Sequence, residues 1–192
     1  MTVTIDRTTV SGRVSSPEAR LSLTSAGSVP GLLDGAWWPR SRDLSRELPA
    51  LTDALDGLWG RITRVTVNPT YWPVVPRKVP VTGRMLHVGW FRDEQDPHQL
   101  ILLSYTVGRW DLLVIPPETD AASAARLMAA AATPGSFRTA SRLMADEAIA
   151  RGATDARSRE EEWETDGGAG SGGAGSSPLG VPSGLQRCAQ GM

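Results

Sequence analysis

The chain has 192 residues, 40% of them apolar, with 20 basic and 21 acidic side chains and a formal net charge of −1. That length allows one domain, or one domain with flanks, and the near-neutral balance advertises neither a polyanion nor a membrane surface as partner. One cysteine, Cys188, excludes an intrachain disulfide framework. The apolar runs at 100–103 and 112–115 are far too short to cross a bilayer. Met1 to Val10 lacks the apolar stretch of a secretory signal, so a cytoplasmic protein is expected.

In chain order, residues 1–17 carry no periodicity and read as a flexible leader. Arg20 to Thr24 alternates polar and apolar, as a strand does, and Leu32 to Trp38 is a second extended candidate closed by Pro39. Leu44, Leu48, Leu51, Leu55 and Leu58 step by four or three residues and predict an amphipathic helix over about 43–59. Ser41 or Asp43 can cap it, and Pro49 should bend its first turns unless the regular helix begins there. Strand patterns follow at 62–67, 78–81 and 84–91, after a proline-rich turn at 69–76. Gln99 to Val107 and Trp110 to Ile115 flank Gly108-Arg109 as a hairpin, and Pro116-Pro117 stops the sheet. Asp120 to Ala132 is alanine-rich and predicts a second helix at about 120–132.

Consecutive strands on short turns favour antiparallel pairing. The expected fold is therefore α+β: a curved antiparallel sheet with the 43–59 helix on one face, built from residues 18–133. Residues 134–152 are expected to add a peripheral helix, with Phe137, Ala140, Met144 and Ala148 on one side. Residues 153–192 are acidic, then Gly/Ala/Ser-rich, and are expected to be disordered because such composition cannot offset the entropy of ordering.

The segment Asp34-Gly35-Ala36-Trp37-Trp38-Pro39-Arg40-Ser41-Arg42-Asp43 stands out. With Glu47 to Leu51, Trp90-Phe91, Gln95 to His98 and Pro116 to Asp120, it resembles an uncharacterised family of small actinobacterial proteins, a domain of unknown function. The resemblance covers roughly residues 20–133 and implies no activity, cofactor or catalytic residue. Lys78 is the only lysine beside nineteen arginines, a bias that reads as the coding of a GC-rich genome rather than as selection for phosphate binding.

Adjacent tryptophans in an extended segment point to opposite faces, so Trp37 and Trp38 cannot share one core. Arginine beside tryptophan can bind an anion while the indole stacks on a ring. Arg40 and Arg42 with Trp37 or Trp38 form the candidate ligand site, which Trp72, Arg77, Trp90, Asp96 and His98 could complete. The competing reading makes the tryptophans core and pairs the arginines with Asp34, Asp43 or Asp96.

Two distant histidines without paired cysteines or an HExxH spacing imply no metal. Asp96 and His98 have no companion nucleophile, and no phosphate-binding loop is present, so no cofactor is implied. No basic stripe is visible, which argues against nucleic acid. The leading expectation is a non-enzymatic regulatory or protein-interaction module. The alternative is a protein that binds an anionic or aromatic small molecule, or an unrecognised enzyme, using the cluster at 37–42.

Overall fold

The computed structural model describes residues 18–105 and 108–166, with side chains to 163. The expected leader at 1–17, the Gly/Ala/Ser-rich stretch and part of the 104–108 turn lie outside the described residues. The chain divides into two units, 1–153 and 154–192.

Seven strands form one sheet: β1 (Leu21–Leu23), β2 (Gly35–Trp37), β3 (Ile62–Val67), β4 (Lys78–Val81), β5 (Arg84–Trp90), β6 (Gln99–Ser104) and β7 (Arg109–Val114). Their spatial order is β1-β2-β7-β6-β3-β5-β4. Among the described residues three α-helices accompany them: α1 (Leu44–Trp59), α2 (Ala121–Ala131) and α3 (Ala140–Asp166). The class is α+β, as the sequence indicates.

The sheet is mixed rather than antiparallel throughout, which corrects the expectation. β2 pairs parallel with β7, and β3 parallel with β5. Short connections dictate only the local hairpins, β4–β5 and β6–β7, and both are antiparallel. The hairpin β4–β5 lays its second strand beside β3, and β2 inserts between β1 and β7 after the chain has crossed the sheet. No turn chemistry encodes either pairing.

Alternation along the strands builds two cores. Leu112 and Val114 of β7 join Leu100, Leu102, Val65, Val67, Leu86 and Val88 beneath α1. Leu113 and Ile115 point the other way, against Ala124 and Leu127 of α2 and Ala140 and Leu143 of α3. Four of the five leucines named in α1 are fully buried, while Leu58 is 67% exposed and Trp59 takes the last core position. Asp43 caps α1 by accepting from the Ser45 N–H at 2.9 Å. The helix runs through Pro49, which denies a donor only to the carbonyl four residues earlier, on exposed Ser45, where water can serve.

α3 begins on a side chain supplied from outside it. Asp96 Oδ2 accepts the Ser141 N–H at 2.9 Å and Asp96 Oδ1 accepts the Ser141 hydroxyl at 2.7 Å. Ala140 and Leu143 are buried and complete the second core, although the apolar stripe of this helix looks thin in sequence. In the second unit, taken by itself, residues 154–166 are helical. Among the described residues no helix is long and apolar enough to cross a membrane.

Leu51 and Leu55 are fully buried under the sheet. Leu51→Asp or Leu55→Asp should abolish cooperative unfolding, because an unpaired charge enters the core. Leu51→Ala should cost about 2–5 kcal/mol in denaturant melts. Aspartate variants that melt like the parent would make this helix face a contact surface instead.

Candidate functional site

β2, β3 and β7 run in one direction, and their carboxyl ends meet the start of β6. Between them lies a shallow cleft, open to solvent and lined by Pro39, Arg42, Tyr71, Trp72, Pro97, His98, Val114, Pro116 and Pro117. Each wall follows from a strand ending. Pro39 closes β2, Pro116-Pro117 follows β7, and a 3-10 turn at Pro69–Tyr71, capped by Asn68, follows β3. Asn68 is buried: its amide donates to the Arg92 and Gln95 carbonyls, and its Oδ1 accepts the Thr70 N–H. That one side chain binds the Tyr71-Trp72 turn to the loop that carries Pro97 and His98.

Aromatic packing makes the floor. Trp72 is buried and stacks on Trp37, with ring centroids 5.9 Å apart and planes 18° apart. Tyr71 and His98 face each other at 4.5 Å. At the rim, Arg42 donates to the Tyr71 carbonyl at 2.7 Å, sits over the Tyr71 ring, and pairs with Glu118. This bond holds the Glu118 carboxyl below the usual range for a glutamate. Burial pushes the His98 imidazole below its ordinary value, and the nearby Asp96 carboxylate opposes that without reversing it. His98 is therefore neutral at physiological pH.

The sequence-predicted cluster divides among five places. Arg42, Trp72 and His98 come together in the cleft, with Trp37 stacked behind them. Trp38 points to the other core, half-buried under Arg20, whose guanidinium lies 3.4 Å from its ring centroid. Arg20 also donates to the Trp38 and Pro39 carbonyls. Arg40 is exposed; its N–H donates to Glu47, and its guanidinium reaches the Glu18 carbonyl. Arg77 and Trp90 stand apart as a cation–π pair at 5.9 Å. Asp96 serves its own turn, accepting from the His98 N–H, as well as the start of α3. Sequence reasoning missed Tyr71, Val114 and the two prolines at 116–117, because they come from separate segments and form no spaced motif.

Most of the 34–43 segment has a structural task. Asp34 accepts the Asp111 N–H on its side chain and donates its own N–H to the Asp111 carbonyl. Gly35 has φ +146°, and a Cβ there would lie 2.2 Å from the Ser22 carbonyl oxygen, so only glycine fits between β1 and β7. Ser41 donates to Glu47 at 2.8 Å, fixing the approach to the Asp43 cap. Arg42 alone of the segment's charged residues combines partial exposure with a place in a concavity.

The family model of DUF5994, a family of unknown function, matches residues 20–131. The chain belongs to this family. The match covers the sheet, α1 and α2, and so includes every residue that lines the cleft of this DUF5994 protein. No curated protein and no solved structure matches the chain. Among the described residues no group of three or more His, Cys, Asp or Glu side chains could hold a metal ion.

The two arginines should separate in melts. Arg42→Ala removes one backbone hydrogen bond and a largely exposed ion pair, a loss of about 1 kcal/mol. Arg20→Ala strips two carbonyls and an indole face of their partner and should cost about 2–3 kcal/mol. A loss above about 3 kcal/mol for Arg42→Ala would make that residue structural, as a buried pair is.

Asp34 gives a pH prediction. Burial raises its pKa above the ordinary 3.8, and repulsion from Asp111 adds to this, against the hydrogen bond from the Asp111 N–H. The folded state thus holds this proton more tightly than the unfolded chain does. Stability falls as pH rises from about the unfolded value through the raised folded one. Asp34→Asn keeps an acceptor for the Asp111 N–H and should raise the urea midpoint at neutral pH. The gain should vanish toward pH 4. An equal gain at both pH values would show that ionisation is not its source.

Proposed function

We propose that this chain is a non-enzymatic binding module of the bacterial cytoplasm that holds a short segment of a partner protein in the cleft around Arg42. One observation carries this reading: an indole, a tyrosine–histidine pair, four prolines and one arginine converge on a concavity open to solvent. Small-molecule sites enclose most of their ligand. A shallow cleft open to solvent instead suits a side chain or two of an extended peptide. Aromatic-lined grooves favour proline-containing extended segments, which lose little entropy on binding.

The chemistry of the lining supports binding over turnover. His98 packs on Tyr71, its neighbour Asp96 is engaged by the His98 and Ser141 N–H groups, and no serine, threonine or cysteine is among the residues that line the cleft. The binding unit in this proposal is the 18–133 domain with the helix of 134–152 docked on it. The bias of nineteen arginines to one lysine supports an actinobacterial host.

Photo-crosslinking from the cleft tests the proposal. A benzophenone side chain at Pro117 in the full chain, expressed in its native cytoplasm, should capture one polypeptide. A synthetic peptide of the crosslinked segment should bind the parent and lose at least about tenfold, or about 1.4 kcal/mol, on Arg42→Ala or Tyr71→Ala. A peptide that binds both variants like the parent, or a cleft that captures only a metabolite, would refute it.

A further inference from the structure

α2 and α3 cover their face of the sheet at β1, β2 and β7. Among the described residues of the first unit, α2 and α3 pack on no more of this face than that; Thr66 of β3 is covered beside Gln95, and the strand register decides what the rest of β6, β3, β5 and β4 displays. Lys78 pairs with His87, His87 with Arg64, Arg64 with Leu103, and Leu103 with Arg109. Residues directly paired across strands share a face, so these five side chains form one row across five strands. It is the face opposite α1, because the chain neighbours Val79, Leu86, Val65, Leu102 and Trp110 belong to or pack against the α1 core.

Neighbouring strands are about 4.8 Å apart. Lys78 and Arg64 are two strands apart, as are Arg64 and Arg109, which spaces successive cations at about 10 Å. Lys78, His87, Arg64 and Arg109 are all exposed. Beside the row, Arg61 meets Tyr105 through the Tyr105 N–H and the Arg61 carbonyl, and Tyr105 is 82% exposed. Among the described residues Arg61, Arg64 and Lys78 have no carboxylate partner. The carboxylate beside the row, Asp111, is engaged by Arg109 and Gln99.

We infer that this open sheet face binds single-stranded nucleic acid, with Lys78, Arg64 and Arg61 on phosphates and with His87 and Tyr105 stacking on bases. The occupant follows from the chemistry of the face. Unpaired cations on a flat sheet follow a phosphate backbone, and exposed rings set among them accept unstacked bases. A duplex is disfavoured, since groove reading needs a protruding helix or ribbon. An acidic protein is disfavoured as well: interface cores are depleted in lysine and anchored by buried aromatics, whereas this face carries Arg64 and His87 with Lys78 at its edge. The inference is independent of the cleft, which shares no residue with the row.

Fluorescence anisotropy on the full chain is the test, with labelled oligo(dT) and oligo(U) of about twelve nucleotides. Poly-L-glutamate serves as a polyanion without bases. Binding should weaken with salt at a log–log slope of about −2, from about 0.7 per phosphate for three contacts. Arg64→Glu and, separately, Lys78→Glu should each weaken binding at least about tenfold and flatten the slope. His87→Ala should weaken it with the slope unchanged, as loss of a stacking ring requires. Arg46→Glu, an exposed change on α1, should leave binding as it is. Comparing the two strands shows whether the 2′-hydroxyl matters. Three results would each overturn the inference: neither strand binding at low salt, poly-L-glutamate competing as well as the oligonucleotides, or both charge reversals binding like the parent. Lys78→Glu lies on the edge strand, so it decides the matter even if Arg64→Glu fails to fold.

Discussion

The structure depends on one three-residue strand. β2 is hydrogen-bonded on both sides, to β1 and to β7, and all three of its residues are buried. Strand alternation then fixes everything near it. Trp37 goes to the α1 core and becomes the support on which Trp72, the floor of the cleft, stacks. Ala36 goes the other way, where its small side chain lets α2 approach. A shift of one residue in the β2 register would exchange Trp37 with Ala36 and spoil both cores at once. Gly35 and the Asp34–Asp111 pairing hold that register from one end, and Arg20, bound to the Trp38 and Pro39 carbonyls, holds it from the other.

Helix positions are set by polar ties at their ends as much as by apolar faces. Near the end of α1, Asp56 accepts the Ile62 N–H at 2.9 Å and binds Arg84 through both of its oxygens. Arg84 in turn donates to the Ile62 carbonyl. The arrangement fastens α1 to β3 and β5 where its last turn would otherwise fray. Asp96 does the same for the first turn of α3, and the loop bearing Asp96 also carries Pro97 and His98 into the cleft. Cleft geometry is therefore coupled to the docking of a helix that contributes no lining residue.

Those parts of the fold that repeat locally were legible in the sequence. The leucine period gave α1 and its buried face, and the Asp43 and Asp120 caps sit where their side chains can reach free N–H groups. The opposite facing of Trp37 and Trp38 followed from alternation alone. Parallel pairing was not legible, because β2 meets β7 and β3 meets β5 across long excursions whose closure no local residue encodes. The cleft was half legible. Arg42, Trp72 and His98 are residue types that attract notice, whereas Tyr71, Val114 and two prolines acquire meaning only when four strand ends converge.

Charge misleads for a similar reason. The formal balance of −1 suggests a surface without polarity, yet carboxylates and cations have different tasks in this fold. Backbone N–H groups left free at caps and turns need acceptors, so carboxylates are placed at the ends of elements: Asp43 on α1, Asp120 on α2, Asp96 at its turn and at Ser141. Arg64, Lys78 and Arg61 have no such task, and the sequence scatters them over β3 and β4 and the residue before β3. Register then sets Arg64 and Lys78, with Arg61 just before β3, on a part of the sheet that no helix covers among the described residues of the first unit. A neutral chain thus acquires a cationic face, and a search for basic runs along the sequence cannot find it, because the neighbours in question are neighbours only across strands.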